Sequence, residues 1–158
     1  MAYTVNEEDV LYNLRDYIKA NLGTYLNGIA ALKGDGLDLP KIKEFAIGEA
    51  DVIEAQRFPV CGIFPEDIEI AYLTTTTSEL KMAVSCILGI KGGKTDNLPL
   101  KVLRYASAFR QLFNADRTAG ATVDHVQVDR IRFYQRAPGL EDRMFIEVLL
   151  GVAKEISH

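Results

Sequence analysis

The sequence is poor in the residues that most metal and catalytic sites need. Its 158 residues contain two histidines, two cysteines and no tryptophan. Zinc is held by several Cys or His ligands at short spacings, and neither His125 nor His158 has a second ligand nearby, so we expect no metal site. Cys61 and Cys86 lie in apolar runs, which favours buried free thiols over a disulfide and a reducing compartment. Cys61 and His125 also lack the flanking signature of a thiol nucleophile and its base.

Long apolar runs and a surplus of positive charge are also missing. No stretch of about 18 apolar residues occurs, which argues against a membrane span. The 18 basic and 22 acidic residues give a formal charge of -4, which argues against a dedicated nucleic-acid binder. The first nine residues are acidic and have no apolar signal core, so export is not expected. We predict that the protein acts in the cytoplasm, or in a particle assembled there.

The composition that is present is that of a folded domain. The chain is 48% hydrophobic and 25% charged, as is typical of globular proteins. Its length is enough to bury a core, and no linker, repeat or low-complexity segment divides it. We therefore predict a single domain over residues 1–158.

One apolar stripe predicts a long first helix. Asn6 precedes three acidic residues, an arrangement that suits a capped helix start and the positive end of the helix dipole. Apolar residues then recur at steps of three and four, which places them on one helix face. We end this helix near Ala31, before the breaker-rich residues 33–36. The stripe consists of Leu11, Leu14, Ile18, Leu22, Tyr25 and Ile29.

Residues 42–88 predict strands. Residues 43–47 fit a short edge strand, and prolines at positions 59 and 65 favour an edge or irregular place for residues 58–64. Apolar residues that alternate over 68–72 and again over 80–88 predict a half-buried β-hairpin. Residues 74–78 are its polar tip.

A second helix and a closing hairpin complete the chain. Asp96 or Asn97 caps this helix and Pro99 fits its first turn. Residues 123–134 predict a strand with a β-bulge near Asp129 and Arg130, because the in/out parity slips there. Residues 137–139 predict a turn before the last strand, 145–152. The buried side of the helix would carry Val102, Ala106, Phe109 and Phe113, with Lys101, Arg104, Ser107 and Gln111 in water.

The order helix, strands, helix, β-hairpin predicts an α+β fold. We expect a mixed or antiparallel sheet of four to six strands, flanked by two main helices. The last strand is apolar on both faces, with Phe145 and Leu149 opposite the even-numbered residues 144–152. Both faces then need cover, since burial is worth about 25 cal/mol per Å² of apolar surface. Either the two helices sandwich the sheet, or a neighbouring subunit covers its second face; Tyr3 and Tyr12, which look exposed, fit the second option.

The segment 89–95 superficially resembles a phosphate-binding loop. The Walker spacing requires a glycine at position 88, which is occupied by Leu88. Pro99 also indicates that the helix begins several residues after Lys94 and Thr95. We expect a flexible basic loop, and anion or nucleotide binding by Lys91–Thr95, as part of a small enzyme or ligand-binding domain, is the alternative function.

No acid/base pair is predicted either. We expect Glu66, Asp67 and Glu69 to be solvated, like Glu141 and Asp142. The arginines of the closing hairpin should pair with acidic residues across strands, although contact with an acidic partner surface is a second interpretation. These arginines are Arg130, Arg132, Arg136 and Arg143, and their expected partners are Asp129, Glu141, Asp142 and Glu147. No catalytic residue and no cofactor is therefore predicted.

The layout of the chain resembles the tail terminator (tail completion) proteins of long-tailed bacteriophages and related contractile particles. The most similar parts are residues 68–88, with their Thr74–Thr77 tip, and residues 98–113. The resemblance implies a non-enzymatic ring, usually a hexamer, that caps the tail tube and joins it to the head or neck. It implies assembly in the host cytoplasm, then a place in the virion tail, with DNA passing through without specific binding.

In such a ring the loops 74–78, 91–97 and 115–121 would bind other copies, the tail tube and the neck or connector proteins. An accessory domain that forms a dimer is a third possibility. The residues singled out as oligomer or partner contacts are Thr74, Thr75, Thr76, Thr77, Lys91, Lys94, Arg117, Arg130, Arg132 and Leu149.

Overall fold

Two helices and a five-stranded mixed sheet make up the fold, which confirms the predicted α+β class. The computed structural model describes residues 5–48, 57–92, 97–134 and 142–157. The sheet order is β1-β2-β3-β5-β4; β1 is parallel to β2 and every other neighbouring pair is antiparallel. In chain order the elements are α1 (Asn6–Lys33), β1 (Glu44–Ile47), β2 (Val60–Tyr72), β3 (Thr77–Lys91), α2 (Leu98–Ala115), β4 (His125–Tyr134) and β5 (Arg143–Ser157).

Helix α1 follows its predicted stripe, with corrections at its start, at its end and at one stripe position. The N-cap is Val5, without a side-chain cap, so the predicted capping role of Asn6 is wrong; Asn6 is already helical. The helix runs to Lys33, where Gly34 takes the left-handed conformation (φ 58°) that ends helices and that glycine adopts without a Cβ penalty. Leu26 is buried where the stripe had Tyr25, which is half-buried.

Helix α2 begins as predicted and differs at one position. The Asn97 side chain accepts a hydrogen bond from the Leu100 amide at 3.3 Å, and proline occupies the first turn. The predicted buried stripe is confirmed, but Arg104 is only 6% exposed and does not lie in water. Its guanidinium donates to both carboxylate oxygens of Asp35, at 2.9 and 2.5 Å. Asp35 is 69 positions away in sequence, so no local pattern indicated this bidentate pair.

The long β-hairpin and the bulge in β4 match the sequence patterns, but the predicted edge place of residues 58–64 is wrong for residues 60–63, which lie between β1 and β3. Strands β2 and β3 pair from Val60↔Gly89 to Tyr72↔Ser78, with a bulge between Pro65 and Asp67. Thr77 and Ser78 already belong to β3, so the predicted tip is two residues too long. The predicted bulge in β4 is confirmed, since the register shifts between Val128 and Arg130. The predicted turn at 137–139 lies outside the described residues.

Both helices lie on one face of the sheet, which we call the helical face. One apolar cluster joins the buried side chains of α1 and α2 to strand residues of a single parity. Within the described residues, therefore, the helices do not sandwich the sheet, and that alternative is wrong. We call the opposite side the open face. The strand residues in the cluster are Cys61, Ile63, Leu80, Met82, Val84, Cys86, Leu88, Ile90, Val126, Ile146, Val148, Leu150 and Val152.

Candidate functional site

The open face differs between the two ends of the sheet. At the end formed by residues 60–63, 85–91 and 145–147, Val60 and Ile87 are buried under three phenylalanines: Phe58, Phe64 and Phe145. Gly89 makes room for this aromatic cluster, because a Cβ there would lie 2.9 Å from the Phe145 ring and 3.1 Å from the Phe58 ring. We call this the closed end. The open face at this end is therefore covered by the chain's own side chains.

The other end of the sheet, formed by residues 65–72, 77–83, 125–128 and 151–157, we call the open end. Small residues, Ala83, Gly151 and Ala153, help line a shallow depression of ≈ 280 Å³ there. His125 Nε2 lies 3.2 Å from Gln127 Oε1, and Gln127 Nε2 donates to Asp129 Oδ1 at 2.7 Å. No three His, Cys, Asp or Glu side chains of the described ranges come together as a metal site. This row is a solvated hydrogen-bonding surface.

The outer edge of β2 is exposed along the open end. Strand β1 pairs only with Val60–Ile63, and every residue from Pro65 to Thr76 is exposed. Ile68, Ile70 and Tyr72 are 40%, 48% and 76% exposed, and their register places them on the helical face. No strand in the described part of the chain pairs with this edge beyond Ile63. Such an edge is a template for pairing with another chain.

Strand β4 forms the opposite edge of the sheet, and it carries basic residues. Arg130 and Arg132 are exposed and lie on the open face, opposite Leu149 and Glu147 of β5. Phe133, on the helical face, is 44% exposed. This edge also has no strand beside it within the described ranges.

The predicted cross-strand ion pairs are mostly wrong. Neither Arg130 nor Arg132 makes an ion pair with a residue of the described segments. Glu147 accepts instead from the Tyr134 hydroxyl at 3.3 Å. Arg143 pairs with Asp142 at 3.6 Å, but the two residues are neighbours in sequence, so this is not a cross-strand pair. Glu141 and Arg136 lie outside the described residues.

The threonine tip builds its own turn. Thr74 Oγ1 accepts from the amides of Thr76 and Thr77, at 3.2 and 3.0 Å, and lies 2.7 Å from Thr77 Oγ1. These bonds hold the hairpin end in shape, because a threonine hydroxyl can replace a backbone acceptor in a turn. Thr75 and Thr76 are exposed and remain predicted contacts.

The remaining predicted contacts are scattered over the molecule. Lys91, at the closed end, pairs with Asp142 at 3.5 Å, and Lys94 lies outside the described residues. Arg117 donates to Asn114 at 3.2 Å, and its carbonyl accepts from the Val126 amide at the open end. Leu149 is half-buried on the open face, opposite Arg130, and remains a predicted contact. Because β3 has 15 residues, its ends, with Thr77 and Lys91, lie about 46 Å apart at about 3.3 Å per residue. The predicted residues therefore do not form a single site.

Sequence reasoning missed the exposed apolar residues of the two sheet edges. Ile68, Ile70, Tyr72 and Phe133 read as ordinary alternation in half-buried strands. A signal was present in Pro65, since proline inside a strand favours a place where no neighbour needs its amide. Tyr12, which we expected to be exposed and available to a neighbouring subunit, is 38% exposed. Its ring centroid lies 4.7 Å from Cζ of the Arg15 guanidinium.

The two thiols are buried and free. Burial raises the pKa of Cys61 to about 12 and also raises the pKa of Cys86. A thiolate is the reactive form, so neither cysteine is available as a nucleophile near neutral pH. His125 is exposed at the open end, whereas Cys61 lies in the core at the closed end, so the structure does not bring that pair together. Neither helix of the described chain is long and apolar enough to cross a membrane.

Comparisons with known proteins identify no family. No protein-family model matches the chain, and no curated protein is significantly similar to it in sequence. One similar solved structure is a chain of the "Virion of native gene transfer agent (GTA) particle", with 12% sequence identity and a TM-score of 0.45. The match covers 88% of this chain and 95% of that one. Similarity at this level carries no conclusion about function.

Proposed function

We propose that the protein is a non-enzymatic structural component of a phage or phage-like particle. In this role it forms a ring that caps the tail tube and joins it to the head or neck, as a tail terminator does. The observation that carries the proposal is the sheet with two exposed edges, one apolar and acidic and the other basic. A second copy is the simplest partner that supplies both halves of such a contact.

The two edges differ from each other, and this bears on the type of assembly. A contact between two different surfaces is heterologous, and it generates a ring when the rotation between copies closes. A contact between identical surfaces would stop at a dimer. An assembly through β2 and β4 therefore supports a ring over the dimeric accessory domain.

The charge of the chain fits a conduit for DNA. A formal charge of -4 gives a ring of many negative charges, which would let DNA pass without holding it, because proteins that hold DNA use a basic surface. The proposed partners are further copies, the tail tube and the neck or connector proteins. Assembly in the host cytoplasm and a final place in the virion tail belong to the same proposal.

Size measurement tests the ring. We expect mass photometry and sedimentation from micromolar to millimolar concentration to show one closed oligomer, and negative-stain images to show a ring with a central channel. A monomer or a dimer across the whole range, together with no density added at the end of terminator-free tail tubes, would contradict the proposal.

Anion binding is the second candidate function, and one observation favours it. Lys43, Arg57 and Lys91 surround an open depression of ≈ 510 Å³ beside Phe58 at the closed end. The charge of Lys91 is partly compensated by Asp142, which weakens this candidate. Calorimetric titration with nucleotides and inorganic phosphate decides it, with Lys91→Ala and Lys94→Ala as controls. Binding that both substitutions abolish would support a ligand site, and no binding by the unmutated protein removes it.

A further inference from the structure

We infer that neighbouring copies join by strand addition, with β4 of one copy pairing antiparallel to residues 64–72 of β2 in the next. This inference rests on the proposed self-association and names the surfaces that perform it. The partner is a second copy of this chain, and the ring would then contain one continuous sheet.

Strand direction permits the pairing. Strand β3 is antiparallel to both β2 and β5, and β4 is antiparallel to β5. Strand β4 therefore runs opposite to β2 within one copy. Two copies placed side by side in the same orientation bring β4 and β2 together as antiparallel neighbours, the geometry in which backbone hydrogen bonds are most direct.

The part of the β2 edge beyond β1 has the right length. Strand β1 pairs with β2 at Val60–Ile63, and no strand of the described chain lies beside residues 64–72 on that side. Strand β4 has 10 residues, His125–Tyr134. A neighbouring β4 can thus lie beside this edge and continue the line of β1 without overlapping it.

Charge and face agree in one register. With Ile68 opposite Ile131, Asp67 lies opposite Arg132 and Glu69 lies opposite Arg130. Asp67 and Glu69 are aligned with Ala83 and Lys81 of β3, and the two arginines with Glu147 and Leu149 of β5, so all four side chains lie on the open face.

The same register brings apolar side chains together on the other face. Ile68 and Ile131 both project toward the helical face, where Ile68 is 40% exposed in the single copy. Opposite charges and apolar side chains directly across from each other are both favourable cross-strand pairs.

This register also gives a tilt suited to closure. Glu69 is paired with Lys81 of β3. Arg130 is paired with Leu149 of β5, and Leu149 is paired with Ser85 of β3. Along β3, the level of Arg130 is therefore four residues from the level of Glu69. Joining Glu69 to Arg130 therefore offsets adjacent copies by four residues over the four strands β2, β3, β5 and β4. This is an offset of one residue per strand. The eight-stranded barrel with shear 8 has the same ratio of shear to strand number, and its strands tilt by about 36°, which is within the usual range for closed sheets.

Complementary charge-reversal variants test the pairing. One variant is Asp67→Arg with Glu69→Arg, and the other is Arg130→Glu with Arg132→Glu. All four side chains are exposed, so we expect both variants to fold, as circular dichroism would show. Should the first not fold, Asp67→Asn with Glu69→Gln replaces it; should the second not fold, Arg130→Gln with Arg132→Gln replaces it, and each neutral pair should weaken the ring. Lys19→Glu with Arg110→Glu, on the exposed sides of the helices, is a control with the same charge change as the second variant.

Each reversal alone should abolish the ring in mass photometry, and the helix control should keep it. An equimolar mixture of the two reversed variants should restore the ring, because alternating copies place opposite charges at every contact. A ring from either reversed variant alone, or no ring from the mixture, would overturn the β2–β4 pairing while leaving the ring intact. A wild-type chain that never self-associates would instead contradict the proposed function itself.

Discussion

The two ends of the sheet are built from the same strands but differ in what covers them. At the closed end β2 lies between β1 and β3, its Val60, Cys61 and Ile63 are fully buried, and phenylalanines cover the open face. At the open end the same strand has one neighbour among the described strands, and all its residues from Pro65 to Tyr72 are exposed. The difference shows that alternation in a strand sets which face a side chain takes, while neighbours decide whether that face is buried.

The comparison separates stability from assembly. Apolar residues at the closed end already have their partners within one chain, so they hold the fold together. The apolar residues of β2 at the open end, such as Ile68 and Ile70, gain little within one chain, because they are 40% and 48% exposed to water. On the proposed pairing they acquire their partner from the next copy, so substitutions at the two ends should have different readouts.

The largest contrast should come from truncating one isoleucine at each end of β2. Ile63→Ala removes a fully buried side chain and should lower the free energy of unfolding by about 2–5 kcal/mol. Ile70→Ala, which alters a side chain that is 48% exposed, should lower it by less than about 0.5 kcal/mol. Urea denaturation at a dilution where the chain is monomeric measures both, and equal losses would refute the distinction between the ends.

A smaller contrast is expected at two strand glycines on the open face. A Cβ at Gly89 would press against the rings of Phe145 and Phe58, so Gly89→Ala should cost about 1–3 kcal/mol by overpacking. A Cβ at Gly151 would meet the exposed carboxylate of Asp129 at 2.5 Å, which can rotate away. Gly151→Ala should therefore change stability by less than about 0.5 kcal/mol. Thermal unfolding of the two variants checks this. A larger loss of stability from Gly151→Ala than from Gly89→Ala would show that the phenylalanines do not cover the open face at the closed end.

The smallest effect should be a pH dependence of the free energy of unfolding, caused by the ion pair between Asp35 and Arg104. Hydrogen bonds from Arg104 hold the pKa of the Asp35 carboxyl well below its ordinary value, with a further contribution from the Leu37 amide. A lowered folded pKa stabilises the fold above the unfolded value of about 3.9, and the gain is lost as the pH falls below it. Asp35→Asn should therefore destabilise at pH 7, and its difference from wild type should shrink in acid.

Urea denaturation over a pH series measures this effect. The matched control is Asp38→Asn, three residues further along and also exposed. It should show no comparable loss at pH 7, because the Arg104 guanidinium donates to Asp35. If the difference in the free energy of unfolding between wild type and Asp35→Asn stays constant with pH, the ion pair is not linked to folding.

Much of the fold could be predicted because its signals are local. The stripe of α2 and the cap at Asn97 follow from residues within one or two helical turns. The parity slip at Asp129 likewise revealed the bulge in β4. Each of these depends on neighbours in sequence, so the pattern and the structure agree.

The failures share a cause in contacts between residues distant in sequence. Arg104 was expected in water because its partner, Asp35, lies in the segment after α1. The exposed state of Ile68 depends on where β1 stops, and Pro65 is the one residue of β2 that we identify as a signal of it. The candidate edges thus became visible only when the sheet order placed β4 at one margin and showed that β1 covers only Val60–Ile63 of β2 at the other.

Disulfide trapping tests the central claim, that β4 of one copy completes the open end of the next. The native thiols are fully buried and will not compete. Ile68 and Ile131 lie on strands separated by β3 and β5, about 14 Å apart at about 4.8 Å per strand spacing, too far for a bond within one chain. Mild oxidation of the Ile68→Cys, Ile131→Cys double variant should give a ladder of covalent multimers ending at the ring, and each single variant should give none. A double variant that forms rings without a ladder, or dimers from Ile68→Cys alone, would contradict the account.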